Sequence, residues 1–299
     1  MGLRYLRSPL NYIGGKYKIL NQILPRFPND IDTFVDLFCG GLNVSINVNA
    51  HHILANDKLA LIVDMYQYFK ETSIDDILSY IEKTVKEYQL SIGNKDSYLR
   101  LRDVYNEKKF PLDLFLLTCF SFNHHIRFNQ SGDFNISFGL NRSNWNYEIR
   151  KNLIRMVSAI KEKNIMFSSL DFRNFEFKSG MFVYCDPPYS LTVGPYNDGN
   201  RGYVSWYEKD DIDLCNLLDD LDSSGIKFAM SNVISHSGID NNIIHRWSKK
   251  YNVIPIDISY NNCNYHLKDR ESKSEEVLIV NYETLSNVVY KKHKLFKLV

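Results

Sequence analysis

The tetrapeptide Asp186-Pro187-Pro188-Tyr189 follows directly on five apolar residues, 181–185. The apolar run predicts a buried strand, which must stop at the prolines because they cannot donate to a central ladder. Each of the two prolines fixes its own φ at about −65° and removes one N–H donor, so the neighbouring carbonyls are rigidly aimed. A carboxylate beside a fixed carbonyl offers two acceptors to an amino group, and Tyr189 adds a π face. A strand-ending turn with a structural aspartate is the alternative.

A glycine turn follows another predicted strand. Residues 34–38 form a short apolar run around Asp36, and they end at Cys-Gly-Gly, residues 39–41. This pattern predicts a strand, a turn in which glycine lets the backbone approach a ligand, and a helix from about residue 43. A simple strand–helix turn without a ligand is the alternative.

An acid ends the next predicted strand, residues 52–57. Asp57 lies 21 residues beyond Asp36, and nucleoside-binding sheets use an acid about twenty residues on to bind ribose hydroxyls. A helix N-cap at Asn56 or Asp57 explains the same residues equally well.

Glycine and lysine also occur together near the start of the chain, in the sequence Tyr-Ile-Gly-Gly-Lys at 12–16. Such a group could cradle a phosphate. However, no strand precedes it and the G-x-x-x-x-G-K-[ST] spacing is missing, which argues against an NTPase.

Composition excludes several classes of protein. The 299 residues carry a net charge of only +1, so any nucleic-acid surface must come from local segregation of charge, such as the acid-free, basic segment 1–29. The five cysteines form no C-x-x-C pair, which argues against a disulfide framework and a zinc site. Without an apolar leader or a long apolar run, we expect a cytoplasmic protein that neither enters nor crosses a membrane.

Strand patterns cluster at 33–57 and at 165–282, with a mostly helical insert between them. We therefore predict an α/β fold: one doubly wound, Rossmann-like sheet with an antiparallel edge strand, interrupted by an inserted domain. The predicted boundaries place the sheet domain at 1–62 and 164–299 and the insert at 63–163. Within the insert, residues 123–144 are rich in Asn, Ser, Gly and aromatics, which favours a hairpin or a long ordered loop.

Together and in this order, the motifs resemble the Dam family of DNA adenine-N6 methyltransferases. The match extends over nearly the whole chain, so it is more specific than any one motif. The matching segments are NYIGGK (11–16), DLFCGG (36–41), AND (55–57), RFNQSGDFNISFG (127–139), SLDFRNF (169–175), DPPY (186–189), SNV (231–233) and EVLIVNY (276–282).

The resemblance implies a Rossmann-like methyltransferase that uses S-adenosylmethionine and no metal. It places the methionine moiety against 36–41, the ribose at Asp57 and the adenine ring near Asp171, and it gives Asp186 and Pro187 the target amino group and Tyr189 the target base. The implied catalytic residues are Asp186, Pro187, Pro188 and Tyr189; the implied cofactor-binding residues are Tyr12, Lys16, Asp36, Phe38, Gly40, Gly41, Asp57, Asp171 and Asp186.

The resemblance also implies double-stranded DNA as the partner, read by the insert. Asn and Arg side chains suit the major groove, and the candidates are Asn123, Arg127, Asn129 and Arg142. This chain departs from the family pattern in carrying His, His and Ile at 124–126, and it has asparagine at position 11 where GATC-specific members have lysine. Both departures indicate a recognition site other than GATC.

The target adenine must leave the duplex to be reached, and Tyr196 or Tyr203 is expected to close the pocket around it. We expect a monomer, working beside a cognate restriction endonuclease or as an orphan or phage enzyme. Methylation of cytosine N4, RNA or glutamine is the rival reaction, and Asp186 at the start of its motif favours adenine. A catalytically silent DNA-binding module is the rival of another class, against which the intact cofactor motifs argue.

Overall fold

The computed structural model describes residues 5–191, 206–257 and 274–284; Tyr196 and Tyr203 lie outside them. Its central feature is an eight-stranded mixed sheet. The strands are β1 (Thr33–Asp36), β2 (His52–Asn56), β3 (Met166–Ser168), β4 (Met181–Cys185), β5 (Lys227–His236), β6 (Ile239–Asp240), β7 (Asn252–Ile256) and β8 (Ser274–Val280). Their order is β3-β2-β1-β4-β5-β8-β7, with β6 pairing β5.

The first five strands of this order run parallel. β8 runs antiparallel to β5, and β7 in turn runs antiparallel to β8 at the outer edge. The predicted doubly wound α/β sheet with antiparallel pairing at one edge is confirmed. The last strand is one place in from that edge, because β7 pairs outside it.

The sheet is covered on both faces, which is why its central strands read as continuous apolar runs. Successive side chains point to opposite faces. Phe34, Phe182 and Tyr184 belong to the core on one face, whereas Val35 and Val183 belong to the core on the other.

Helices form the two covering layers. They are α1 (Leu20–Ile23), α2 (Ala60–Glu71), α3 (Ile74–Tyr88), α4 (Lys95–Lys108), α5 (Pro111–Phe120), α6 (Tyr147–Glu162), α7 (Glu208–Ser223) and α8 (Asn242–Ser248). Every residue of α5 after Pro111 is buried, since α2, α3 and α4 all pack on it. α7 and α8 pack on β5. In the described residues no helix is both long and apolar enough to cross a bilayer.

Two predicted helices differ from the structure. The helix expected from residue 43 is a series of turns, because the side chains of Asn43 and Asn47 bind the backbone of Ser8 and Leu6 instead. These bonds join residues 35 and 41 positions apart, so a contact with a distant part of the chain takes the place of the local helix. The sequence also predicts a helix over residues 239–249, but the observed helix begins only at Asn242, because residues 239–240 pair with β5.

Residues 121–139 form an irregular hairpin. Antiparallel bridges join Ser121 to Phe138 and Phe128 to Phe134, and both phenylalanines of the second bridge are buried. Two side chains of α4 and one from the residue that follows it hold the hairpin. Tyr98 donates to Ile136 O, Asn106 binds both backbone groups of Phe134, and Lys109 binds Gly132 O and Asp133.

The predicted division at residues 62 and 164 stays a prediction. The core of the insert, including Phe115 and Phe128, is continuous with the core beneath Phe34 and Phe182.

Gly139, at the base of the hairpin, has no room for a side chain. A Cβ added there would lie 2.7 Å from Ser121 O and would also collide with the Ser143 side chain. We expect Gly139→Ala to lower the free energy of unfolding by roughly 1–3 kcal/mol through overpacking, measured by urea denaturation. Gly93→Ala is the matched control, since nothing lies within 4 Å of its added Cβ. Equal stability of the two variants would contradict this packing.

Candidate active site

The carboxyl ends of parallel strands meet at one edge of a sheet, where open α/β sheets bind ligands. Here the segments after β1, β2, β3 and β4 surround a cavity of about 370 Å³. Every predicted catalytic and cofactor-binding residue lines it: Tyr12, Lys16, Asp36, Phe38, Gly40, Gly41, Asp57, Asp171, Asp186, Pro187, Pro188 and Tyr189.

The reactive end of the cavity holds a compact cluster of charged and aromatic groups. Lys16 Nζ lies 2.6 Å from Asp186 Oδ1 and 4.9 Å from the centroid of the Tyr189 ring, and it also donates to Gly14 O at 2.7 Å. Tyr189 Oη donates to Asp186 Oδ1 at 3.0 Å. Burial raises the pKa of Asp186, and Lys16 opposes that rise. The Lys16 ammonium group therefore lies on the side of Asp186 that faces the Tyr189 ring.

Glu276 completes this cluster, although sequence reasoning gave it no role. Its side chain is 2% exposed, accepts from Tyr189 Oη at 3.2 Å and lies 4.0 Å from Lys16 Nζ. It belongs to β8 and reaches the site because β8 pairs beside β5. In the sequence Glu276 stands just before the apolar run 277–280 and beside the exposed Glu275, so only the fold shows that this carboxylate is buried and therefore requires partners.

Asp36 lies at the end of β1 beneath the cavity. Ser45 Oγ donates to Asp36 Oδ2 at 2.6 Å. Burial, reinforced by the nearby charges of Asp186 and Asp57, raises the pKa of Asp36 to about 7, although the bond from Ser45 opposes the rise. The carboxyl group is therefore about half protonated near neutral pH.

The turn after β1 is held by Asp57 and packed against Tyr12. Asp57 accepts from Gly40 N at 3.0 Å and from Leu59 N at 2.9 Å. Burial raises its pKa, against these two bonds. Gly40 has φ +43°, and a Cβ there would lie 3.0 Å from Tyr12 Cδ1. Glycine is thus required both by the backbone conformation and by the tyrosine ring.

Asn56 ties three strand ends together and was considered in the sequence only as a helix cap. Its amide donates to Leu37 O at 3.1 Å and Leu170 O at 3.0 Å. Its Oδ1 accepts from Ser168 Oγ at 2.8 Å and Leu170 N at 2.9 Å. This buried side chain fixes the spacing of the loops that line the cavity.

Asp171 is ionised and firmly held at the rim. Partial burial opposes ionisation, but hydrogen bonds from Lys58 and Arg173 outweigh it and lower the pKa of Asp171 to about 2. Arg173 also binds Asp210 and Asp213 on α7. Arg173 therefore joins the loop after β3 to α7, a link that sequence reasoning missed.

An aromatic wall closes the cavity on the side of Asp171. Phe38, Phe172 and Trp206 pack with ring centroids 5.6 Å apart. Trp206 Nε1 donates to the buried Asp211 at 2.7 Å, and Asp211 also accepts from Ser190 at 2.8 Å. Asp211 thereby holds the wall and the residue after Tyr189 at a fixed separation.

The predicted DNA readers are only partly brought to the cavity. Arg127 lines it, but its guanidinium also binds Asn135 across the hairpin at 2.8 Å. Asn129 Oδ1 accepts from Asp133 N within the hairpin turn. Asn123 and Arg142 approach each other at 3.5 Å, and the side chain of Asn11 donates to Asn123 O at 2.7 Å. Asn123, Asn129 and Arg142 all lie outside the cavity lining.

The two histidines that interrupt the family pattern, His124 and His125, are described by their backbone conformation and by the burial of their rings. His124 has φ +56°, next to Asn123 at φ +55°, a region costly for residues other than glycine. Burial lowers the pKa of both His124 and His125, so both rings are uncharged at neutral pH.

No cluster of three or more metal-ligating side chains occurs in residues 5–191, 206–257 and 274–284. That the reaction needs no metal stays a prediction.

The sheet order and the cavity at the carboxyl ends of its parallel strands define a Rossmann-like α/β protein. The chain matches the model of the D12 class N6 adenine-specific DNA methyltransferases over residues 12–262. It therefore belongs to that family, as its Dam-like motifs predicted.

Three relatives are similar over most of this chain. It is 46% identical over 281 residues to the type II methyltransferase M.FokI of Planomicrobium okeanokoites, covering 93% of this chain and 43% of that protein. It is 44% identical to the modification methylase StsI of Streptococcus sanguinis and 33% identical to the modification methylase LlaI of Lactococcus lactis subsp. lactis; these alignments cover 94% and 93% of this chain and 44% of each relative. The chain thus spans less than half the length of these relatives.

The raised pKa of Asp36 makes stability depend on pH. Between the unfolded value of 3.8 and the folded value of about 7, the folded state keeps a proton that the unfolded state has lost. The free energy of unfolding therefore falls as pH rises through this window. We expect Asp36→Asn to remove that loss, so that its stability relative to the original chain is about 2–3 kcal/mol greater at pH 8 than at pH 5.

Urea denaturation at the two pH values measures this difference. Asp103→Asn, at an exposed position of α4, is the matched control and is expected to show no such gain. A pH-independent difference for Asp36→Asn would contradict the raised pKa.

Proposed function

We propose that this chain transfers a methyl group from S-adenosylmethionine to N6 of an adenine in a short double-stranded DNA site. One observation carries the proposal: an N–H donor, the Lys16 ammonium, lies 2.6 Å from Asp186 and 4.9 Å over the Tyr189 ring. A planar base stacked on that ring would place its amino group against the same carboxylate.

The cavity suits the cofactor by its donors, acceptors and size. The Asp57 carboxylate is placed for ribose hydroxyls, the wall of Phe38 and Phe172 for an adenine ring, and ionised Asp171 for its amino group. Asp36 lies where it can meet the cationic methionine end. A volume of about 370 Å³ falls in the range of small-molecule pockets, ~300–1,000 Å³.

The cofactor supplies an electrophilic sulfonium methyl group; the residues of the chain must activate a poor nucleophile. The N6 lone pair is delocalised into the adenine ring. Asp186 and the Pro187 carbonyl accept the two N6 hydrogens, which favours a tetrahedral nitrogen and stabilises the positive charge that grows on it. Holding N6 in line with the methyl group would supply further acceleration. The bond from sulfur to the methyl carbon would break as the bond to N6 forms, which leaves S-adenosylhomocysteine as a neutral thioether. The cationic N6 would then release one of its two hydrogens as a proton through the carboxylate that already accepts it, Asp186.

The target base must be flipped out of the duplex, at a cost of a few kcal/mol. Tyr189 is the platform on which it stacks. The Tyr189 hydroxyl is held by both Asp186 and Glu276, so the ring is fixed before the base arrives. This preorganisation offsets part of the cost of flipping.

Sequence readout is assigned to the insert, residues 63–163, with the cofactor-binding catalytic domain at 1–62 and 164–299. Asn123, Arg127, Asn129 and Arg142 remain the proposed readers. If Arg127 and Asn129 contact bases, their side chains, which are bonded within the hairpin, must either reach a base as well or exchange partners when DNA binds.

The biological setting we propose is restriction-modification, as a cytoplasmic monomer beside a cognate endonuclease. The names of two relatives, modification methylases, support it. An orphan or phage enzyme would use the same site and the same chemistry, and differs only in lacking the endonuclease.

Asp186→Ala should abolish methyl transfer, because N6 loses its charged acceptor while the fold keeps its core. Cells that express the original chain or the variant are compared by methylation-sensitive sequencing, which also reports the methylated base and its site. Asp220→Ala, at an exposed position of α7, is the matched control. Near-normal adenine methylation by Asp186→Ala, or methylation of cytosine by the original chain, would refute the assignment.

Glu276→Gln should lower kcat by about tenfold or more, equivalent to ~1.4 kcal/mol. Glutamine keeps the shape and an acceptor for Tyr189, but Lys16 loses its second carboxylate and pairs more tightly with Asp186. Asp186 is then less available to N6, so kcat falls more than the KM values change. Steady-state kinetics checks this, with the exposed neighbour Glu275→Gln as control. Unchanged kcat for Glu276→Gln would show that Glu276 has no part in the reaction.

A further inference from the structure

A second cleft, of about 190 Å³, lies between the N-terminal segment and α6. It is lined by Tyr5, Arg7, Tyr17, Glu148, Lys151, Asn152 and Arg155. Three cations face one carboxylate, and the remaining polar groups are two phenols and an amide. The chemistry is that of a site for an anion with several oxygen acceptors.

The cations of this cleft are held in place rather than scattered. The backbone on both sides of Arg7 is fixed, because Leu6 binds Asn47 and Ser8 N donates to Asn43. The guanidinium lies 5.6 Å from the centroid of the Tyr17 ring. Lys151 and Arg155 are four residues apart on α6, so they share one helix face.

Two of the three cations have no carboxylate partner. Lys151 lies 3.6 Å from Glu148. Within the part of the chain that the structure describes, neither Arg7 nor Arg155 forms an ion pair, and both side chains are exposed. Their charge is therefore available to a ligand that arrives from solvent.

The cleft adjoins the candidate active site along the chain. Tyr17 lines the cleft and follows Lys16, which lines the cavity. Arg7 is five residues from Tyr12. It is four residues from Asn11, so the Cα atoms of Arg7 and Asn11 are at most about 15 Å apart at ~3.8 Å per step. Asn11 contacts the recognition hairpin at Asn123. About 15 Å corresponds to roughly four base pairs of B-DNA, at ~3.4 Å per phosphate on each strand.

We propose that this cleft binds a backbone phosphate of the DNA, beside the site that the hairpin reads. The inference rests on the proposed function, since it takes DNA as the substrate. Arg7 and Arg155 supply the charge, and Tyr5, Tyr17 and Asn152 supply hydrogen bonds. Such a contact fixes the register of the protein on the duplex without reading sequence.

The test is the salt dependence of duplex binding by the Arg7→Gln/Arg155→Gln double variant. A fluorescent 30-base-pair duplex of random sequence serves as the probe, since a phosphate contact needs no recognition site. The loss of one phosphate contact reduces the magnitude of the slope of log Kobs against log[salt] by about 0.9, so we expect a reduction of about 0.9. Arg246→Gln, an exposed arginine on α8, is the matched control and should keep the original slope.

Two results would overturn the proposal: an unchanged slope in a double variant that is folded by circular dichroism, or an equal change in Arg246→Gln. Calorimetric titration with inorganic phosphate then distinguishes a small-anion site. If the slope on DNA is unchanged, phosphate binding that the double variant loses assigns the cleft to a free anion and not to DNA. Methyl transfer is measured separately, so a chain that binds duplex through this cleft but transfers no methyl group refutes only the proposed reaction.

Discussion

The buried ion pair between Lys16 and Asp186 is the interaction on which the arrangement of the site depends. It joins the N-terminal segment to the end of β4, and Tyr189 and Glu276 are placed around it. A buried pair of this kind adds little net stability, because desolvation offsets the attraction between the charges. The pair instead fixes position: it holds the N-terminal segment against the end of β4, two parts of the chain that are far apart in sequence.

The fold could be predicted wherever a single pattern dominated. β1, β2 and β4 are continuous apolar runs, and the observed ends of these strands lie within two residues of the predicted ones. Prediction failed where contacts between distant parts of the chain decide the local structure. Asn43 and Asn47 anchor the N-terminal segment instead of continuing a helix. Residues 239–240 pair with β5 instead of opening α8, because strand pairing is a long-range contact that local periodicity does not report.

The site was predictable to the extent that its residues follow strands. The carboxyl ends of parallel strands converge by geometry, so Asp36, Asp57 and Asp186 had to meet. Glu276 could not be placed in this way, because it enters from an antiparallel strand whose register with β5 is set by tertiary pairing. Asp211 could not be identified from the sequence for a related reason. It belongs to a run of acids on α7, and only the fold shows that it is the buried member of that run.

A net charge of +1 conceals two differently charged surfaces. The cavity lining combines five carboxylates with four cations, in ion pairs such as Lys16–Asp186 and Lys58–Asp171, whereas the cleft beside it carries three cations and one carboxylate. The boundary between the two falls between Lys16 and Tyr17, adjacent residues of one turn. Because clefts focus the field of the charges that line them, the cleft attracts anions more strongly than the cavity does.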